Sequence, residues 1–311
     1  MRSEKRPNVS VIMPARNAGE YIDAAIGSVL TQSMTELELL VIDDGSTDGT
    51  AARVRTVAEN DNRIRLLKGP GRGPAAARNL GILRATGEWV ALMDADDVMD
   101  TDRLENLVRA AERDGADLIA DNLMAFYQDG QNEHPWLEGA LWLEPGWIDL
   151  NILLRLRPGE ELGYLKPLLR RAWMLEHDLL YDESLRIGED FDLVLRALLR
   201  RARYRYVPTA AYRYRRHAES ISHRLDATQV AAMMSAMEKI LPALSDEPRS
   251  LATQRLQAMG QDRDFAFLIA DLKAGRYGPA SRALRSGGLR ARLLRAISEG
   301  MARRLRGSRS T

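Results

Sequence analysis

Three carboxylates stand within four residues at Asp94-Ala95-Asp96-Asp97, directly after the apolar run Trp89-Val-Ala-Leu-Met93. Like charges this close repel one another unless a cation or a ligand's donors compensate them. In an open α/β sheet, ligands lie beyond the carboxyl ends of the strands, where a buried strand ending near Met93 would deliver these acids. Aspartates at such a place also cap helices, so capping and ligand binding both stand as readings. A second acidic end has the same grammar: Leu37-Glu-Leu-Leu-Val-Ile42 runs into Asp43-Asp44-Gly45-Ser46. That tetrapeptide suits an Asx-type turn, and an aspartate there can equally accept a hydrogen bond from the imide N–H of a pyrimidine base. Together, Asp44, Asp94 and Asp96 outline a cleft for a nucleotide and a metal. Carboxylate donors in a chain without cysteine select a hard divalent cation, Mg2+ or Mn2+.

Other residues carry weaker signals. Glu189-Asp190 open a helix expected over Phe191–Arg203, and acids in a first turn complement the helix dipole without any further role. Gly71-Arg72-Gly73-Pro74-Ala75-Ala76 formally matches a dinucleotide-binding fingerprint, with Asp94 about 20 residues on. It follows the third predicted strand instead of the first, and Pro74 stands where a backbone amide should face a pyrophosphate. Trp136, Trp142 and Trp147 fall close together; indole faces stack on sugar rings, and they also fill cores.

The elements that would position these residues alternate. Strands are predicted at Val9–Met13, with Pro14 as the stop, at Leu37–Ile42, at Arg63–Leu67 and up to Met93. Helices are predicted at Tyr21–Leu30, Thr50–Glu59, Ala75–Ala85 and Thr101–Arg113 from their apolar spacing. Alternating units of about 30 residues indicate an α/β fold with a mostly parallel sheet. A short strand is expected at Ala116–Ala120, after which the rhythm is lost. Tyr204–Val207 and Ala211–Tyr214 read as two further strands, and everything beyond about residue 224 reads as helical.

The 311 residues, 45% hydrophobic and 29% charged, suffice for one large domain or two smaller ones. Absence of cysteine excludes disulfides, thiolate metal sites and thiol chemistry. No apolar run approaches the ~18 residues of a membrane span. Met1–Asn8 is charged and lacks an apolar signal-peptide core, so a cytoplasmic location is expected. The net charge of +1 conceals a tail, residues 285–311, with eight arginines and one acid, Glu299. A basic tail on a mildly acidic body suggests a local electrostatic contact and no nucleic-acid partner. Leu289, Leu293, Leu294, Ile297, Met301 and Leu305 share one face of a helix expected at 289–305. Such a helix can lie on an anionic bilayer as a peripheral contact, or pack on protein.

Six segments in order resemble the family-2 inverting glycosyltransferases with the GT-A fold. They are Val9-Ser-Val-Ile-Met-Pro-Ala-Arg-Asn17, Val41-Ile-Asp-Asp-Gly-Ser-Thr-Asp48, Ala77-Arg-Asn-Leu-Gly81, Leu92-Met-Asp-Ala-Asp-Asp97, Gly188-Glu-Asp190 and Tyr214-Arg-Arg-His-Ala-Glu-Ser-Ile-Ser222. The resemblance covers about residues 8–222 and is nearest to bacterial enzymes that build exopolysaccharide repeat units, succinoglycan glucosyltransferases among them. It implies a GT-A domain over 1–222 and a C-terminal helical appendage over 223–311. It also implies a nucleotide-sugar donor, a UDP-sugar, and a glycan or polyprenyl-linked saccharide as acceptor. By the same resemblance Asp44 holds the nucleobase, with Pro14 and Arg16 lining its pocket, and Arg78 and Asn79 grip the nucleotide. Asp94 lies near the ribose, Asp96 on the metal, and His217 is a further metal or diphosphate ligand. Asp190 is the catalytic base, Glu189 and the three tryptophans lie on the acceptor side, and Gly163–Lys166 approach the donor sugar. Asp97 is left as the structural member of its cluster. Two rivals remain at this stage: an oxidoreductase using the glycine-rich loop, and a catalytically silent carbohydrate-binding scaffold.

Overall fold

A computed structural model describes residues 7–127, 133–157, 161–216, 227–283, 285 and 287–296. Among them ten strands form one sheet: β1 (Val9–Ala15), β2 (Leu37–Asp43), β3 (Ile64–Lys68), β4 (Trp89–Leu92), β5 (Val98–Met99), β6 (Leu118–Tyr127), β7 (His134–Pro135), β8 (Gly146–Ile148), β9 (Leu168–Arg170) and β10 (Tyr204–Arg216). The helices are α1 (Ile22–Leu30), α2 (Thr50–Ala58), α3 (Pro74–Arg84), α4 (Arg103–Asp114), α5 (Leu150–Leu154), α6 (Arg171–Glu176), α7 (Glu189–Leu199), α8 (Ala227–Ile240), α9 (Asp246–Lys273) and α10 (Tyr277–Ala283). The strand order is β3-β2-β1-β4-β9-β6-β10-β5, with β7 on β6 and β8 on β10.

The half from β3 to β4 is parallel, as the alternating pattern requires. Its strands read as continuous apolar runs because helices cover both faces, and β4 is buried along its whole length. The short strand β9 then enters antiparallel between β4 and β6. Two of its three residues end the apolar stretch Leu162–Leu169, and so short a piece carries no periodicity that would reveal this insertion.

Pro14 does not stop β1; the strand continues through it to Ala15, paired with Asp43 of β2. Ile12 offers its carbonyl to Met93, and Ala15 offers its own to Asp44 on the other side. By alternation Pro14 faces the β4 side, where the pairing has already ended at Leu92, so its missing N–H breaks no ladder bond.

The two strands expected at 204–214 are one. β10 pairs with β6 on both sides of a register shift between Val207 and Tyr212, where Pro208 cannot donate. This bulge lets β10 run on past the end of β4, over the acidic turn. The C-terminal helices match the expected helical region, and Met237, Leu244 and Ala252 of that region join the main core. Met233 of α8 rests on Gly188, where a Cβ would come within 2.6 Å of its methyl carbon. Gly188 also has φ +79, so a glycine there meets two demands at once.

Candidate active site

The Asp94–Asp97 turn is held by β10. The Tyr212 hydroxyl donates to Asp97 at 2.7 Å and accepts from the Asp94 amide at 3.1 Å, and the Arg215 amide donates to Asp97 at 2.7 Å. Asp97 is wholly buried. Burial and the neighbouring Asp96 and Asp94 push its carboxyl well above the usual range, so it is a framework acid. The Arg215 guanidinium reaches the Asp96 carbonyl at 2.7 Å, leaving Asp96 partly exposed at the tip of the turn.

Arg78 and Lys166 join this turn to the start of α7. Arg78 sends one terminal nitrogen to Asp94 at 2.6 Å and the other to Glu189 at 2.8 Å, with Asp190 at 3.9 Å. Lys166 Nζ lies 2.9 Å from Asp94 Oδ2 and 2.8 Å from Asp190 Oδ2. The Tyr181 hydroxyl donates to the other Asp190 oxygen at 2.8 Å. Both cations are nearly buried, which is tolerable only because each is paired more than once. Burial pushes the Asp94 and Asp190 carboxyls up, but Lys166 and Arg78 more than offset this and hold both below the ordinary range. Glu189 goes the other way, raised by burial and by Asp190. The two acids at the start of α7 are therefore electrostatically unlike. Neither caps the helix through its side chain.

Arg78 is aimed by its helix. α3 packs so closely on the sheet that a Cβ at Gly81 would collide with Ile12 and come within 2.9 Å of Ile42. Lys166 is aimed from its backbone: its carbonyl accepts from Arg103 at 2.7 Å, and Arg103 is paired with Asp121, both side chains fully buried.

Asp44 occupies the adjoining strand end and organises the glycine-rich loop. Its two carboxylate oxygens accept the amides of Gly71 and Gly73, each at 2.7 Å. Those are the amides a pyrophosphate would need in a dinucleotide fold, so the formal fingerprint is filled by the protein's own carboxylate. Each oxygen keeps a second lone pair for a ligand donor. Asp44→Ala is expected to release the 69–73 loop. Hydrogen exchange at Gly71 and Gly73 should rise at least tenfold, with a stability loss of about 1–3 kcal/mol for two orphaned, part-buried amides.

The profile of "Glycosyl transferase family 2" matches residues 10–171, from β1 through the acidic turn to Arg171 after β9. The chain belongs to glycosyltransferase family 2. Succinoglycan biosynthesis protein ExoO of Rhizobium meliloti is 34% identical over 278 residues, covering 87% of this chain and 79% of that protein. Succinoglycan biosynthesis protein ExoU of the same organism is 37% identical over 227 residues, 70% of this chain and 65% of its own length. Among solved structures, S. aureus TarS 1–349 in complex with UDP-GlcNAc superposes with a TM-score of 0.66 at 22% identity, covering 89% of this chain and 79% of that one. The mannosyltransferase PcManGT from Pyrobaculum calidifontis, in complex with GDP-Man and Mn2+, gives 0.61 at 18% identity, over 96% and 81%. These superpositions give the fold as GT-A.

Within this glycosyltransferase the expected site residues separate into groups. Arg78, Asp94, Glu189 and Asp190 form one cluster. Asp96 stands beside it, and Asp44 connects to it through the loop that starts α3. Pro14 and the exposed Arg16 flank Ala15, whose carbonyl receives the Asp44 amide at 2.8 Å. Asn79 is buried. Its amide is taken up by the backbone of Tyr181, through both its oxygen and its nitrogen, and by Glu183. These bonds tie Asn79 to the Tyr181 backbone.

The three tryptophans divide. Trp136 forms a cluster with Tyr164 and Tyr214, ring centres 4.5 and 5.8 Å away. Trp142 is a core residue set edge-on against Tyr206. Trp147 is partly exposed, but it lies on β8, which pairs with the first residues of β10, at the end of the sheet remote from Asp94. Arg203 and Arg205 cover its ring. Proximity in sequence grouped the three; the sheet separates them. Glu189, expected toward the acceptor, is buried on Arg78. His217 lies outside the described residues, as does the tail beyond residue 296. Within 287–296 the chain is helical, Leu294 is 67% exposed, and Arg292 pairs with Asp262 of α9 at 2.5 Å. No helix among the described residues is long and apolar enough to cross a membrane.

In the sequence Lys166 reads only as part of a loop near the donor, and Tyr181, Tyr212 and the Arg103–Asp121 pair do not stand out. Lys166 did carry a signal: it is a lone cation inside the apolar stretch Leu162–Leu169. The tyrosines had none, because a phenol reads equally well as core.

Proposed function

We propose that this glycosyltransferase transfers a sugar from a UDP-sugar to a hydroxyl of a growing exopolysaccharide, with inversion at the anomeric carbon. The observation that carries this reading is the joining of Asp190 to the Asp94–Asp97 turn through Lys166 and Arg78. It sets a buried carboxylate beside a cationic grip suited to a diphosphate. The acceptor O–H proton passes to an Asp190 oxygen. The acceptor oxygen then bonds to the anomeric carbon while the bond from that carbon to the diphosphate oxygen breaks, its electron pair leaving with the diphosphate. Asp44 offers its spare lone pairs to the base, and Arg78 and Lys166 take phosphate oxygens.

A divalent ion fits this site. With Asp97 and Glu189 raised toward their neutral forms, Asp94, Asp96 and Asp190 already offset Arg78, Lys166 and Arg215 among the described residues, so little positive charge is left for an anionic donor unless a cation adds it. No group of three or more His, Asp or Glu side chains is poised to hold a metal among the described residues. Mg2+ and Mn2+ in such sites usually take one or two carboxylates and complete their shell with phosphate oxygens and water, so Asp96 would serve. A bound ion supplies neutralisation of the departing diphosphate, so no protonated general acid is required.

The succinoglycan relatives support an exopolysaccharide product, the UDP-GlcNAc complex of TarS a UDP donor, and the Mn2+ of PcManGT the metal. The Trp136–Tyr164–Tyr214 cluster suits stacking of an acceptor sugar. An acceptor carried on a polyprenyl lipid would bring the basic tail to a cytoplasmic membrane face as a peripheral contact. A panel of UDP-sugars with glycan acceptors and Mn2+ is expected to yield UDP and a product of inverted anomeric configuration by NMR. Turnover should cease in EDTA and return with excess Mn2+. Retained anomeric configuration, or turnover indifferent to EDTA, would overturn the mechanism.

A further inference from the structure

Lys166 stands between the donor's binding group and the base. Its ammonium bridges Asp94 Oδ2 and Asp190 Oδ2, while Tyr181 occupies Asp190 Oδ1. In this arrangement each Asp190 oxygen already accepts a hydrogen bond, one of them from a cation. A base must come within hydrogen-bond reach of the hydroxyl it deprotonates, and the oxygen bound to an ammonium is its poorest acceptor. The backbone of residue 166 is fixed by the buried Arg103–Asp121 pair. The flexible four-carbon stem above it leaves the ammonium free to exchange partners. Arg78 Nε, buried and without a hydrogen-bond partner among the described residues, is a second donor in the same cluster awaiting an acceptor.

We propose that Lys166 couples donor binding to catalysis: an incoming diphosphate draws its ammonium off Asp190 Oδ2, and the freed oxygen then takes the acceptor proton. The inference rests on the nucleotide-sugar reading above and adds to it the role of this one side chain. Among the described residues the titratable groups that bear on Asp190 are Lys166, Arg78, Tyr181, Tyr204, Asp94 and Glu189. Of these, only Lys166 bonds both the Asp-x-Asp turn and the base at hydrogen-bond distance. Once the ammonium leaves, burial is less fully offset and Asp190 becomes the stronger base.

The test titrates UDP and GDP, each with Mg2+, into the wild-type chain, Lys166→Met and Lys166→Arg by calorimetry. It also follows hydrolysis or transfer of the active nucleotide-sugar against pH. In the wild-type chain the acidic limb of kcat should lie at higher pH than that of kcat/KM, because the complex has lost the ammonium from the base. Lys166→Met should weaken nucleotide binding at least tenfold and narrow the gap between the two limbs; Lys166→Arg should restore most of the binding. A crystal structure of the wild-type chain with UDP and Mg2+ gives a readout that no substitution can spoil by misfolding. There Lys166 Nζ should contact a phosphate oxygen and no longer Asp190. Lys166 still bridged to Asp190 in that complex, or Lys166→Met binding nucleotide as the wild type does, overturns the inference alone. A wild-type chain that binds neither nucleotide overturns the donor reading and this inference with it.

Discussion

Asp190→Asn is expected to lower kcat about 10²- to 10⁴-fold, the range typical of a lost general base. UDP affinity should stay the same or tighten. Asparagine keeps the shape of the side chain and can still accept from Tyr181, but it can no longer take a proton from the acceptor. It also removes one negative charge from beside the diphosphate, which sets the sign of the binding change. Glu189→Gln is the contrasting variant. Glu189 is buried on Arg78 and raised toward its neutral form, so its amide should cost far less turnover. Rates from UDP release at saturating donor, with affinities from calorimetry, separate the two. Full activity in Asp190→Asn would remove Asp190 from the chemistry.

Arg78→Ala should destabilise the fold by about 3–5 kcal/mol, the usual result of removing one partner from a buried ion pair. The guanidinium bonds Asp94 and Glu189 and stands near Asp190, with only 5% of its side chain exposed. Without it Asp94 and Asp190 keep Lys166 as a neighbouring cation. Arg78→Lys should recover part of the loss, because an ammonium restores charge but cannot span two carboxylates as the planar fork does. The deficit also has a pH signature. Asp94 and Asp190 are held below the ordinary carboxylate range, so their contribution is present above roughly pH 4 and is lost as pH falls through their folded values. Glu189 is raised and contributes in the opposite sense, gaining relative stability as pH drops. Arg78 lowers all three carboxyls, Glu189 included, so its loss raises each of them and the gap between wild type and Arg78→Ala should shrink as pH falls below about 4. Urea unfolding at pH 7 and pH 3.5 measures it; a gap that widens in acid would contradict the charge arrangement.

The parallel half of the sheet and the acidic strand ends were legible because both depend on local pattern. Apolar runs broken by acids and turn formers at about 30-residue intervals can hardly fold otherwise than as βα units, and their carboxyl ends must share one edge. Asp44, Asp94 and Asp96 could thus be read as neighbours although they lie on separate strands. The rhythm failed where strands became short or antiparallel, as at β9, and where a bulge joined two runs into β10.

By itself, then, the sequence determined the carboxylate inventory, the absence of thiol chemistry, the α/β class and the acids available at each strand end. Tertiary structure decided what balances them. The partners of Asp94 and Asp190 come from α3 and from the loop before β9, 16 to 72 residues from Asp94 along the chain, and no periodic pattern links such positions. Tertiary structure also decided that Trp136 joins Tyr164 and Tyr214 while Trp147 lies against the first residues of β10, because chain neighbours on different strands can end at opposite ends of one sheet. Charge pairing and stacking are fixed by distance through space, and only folding sets those distances.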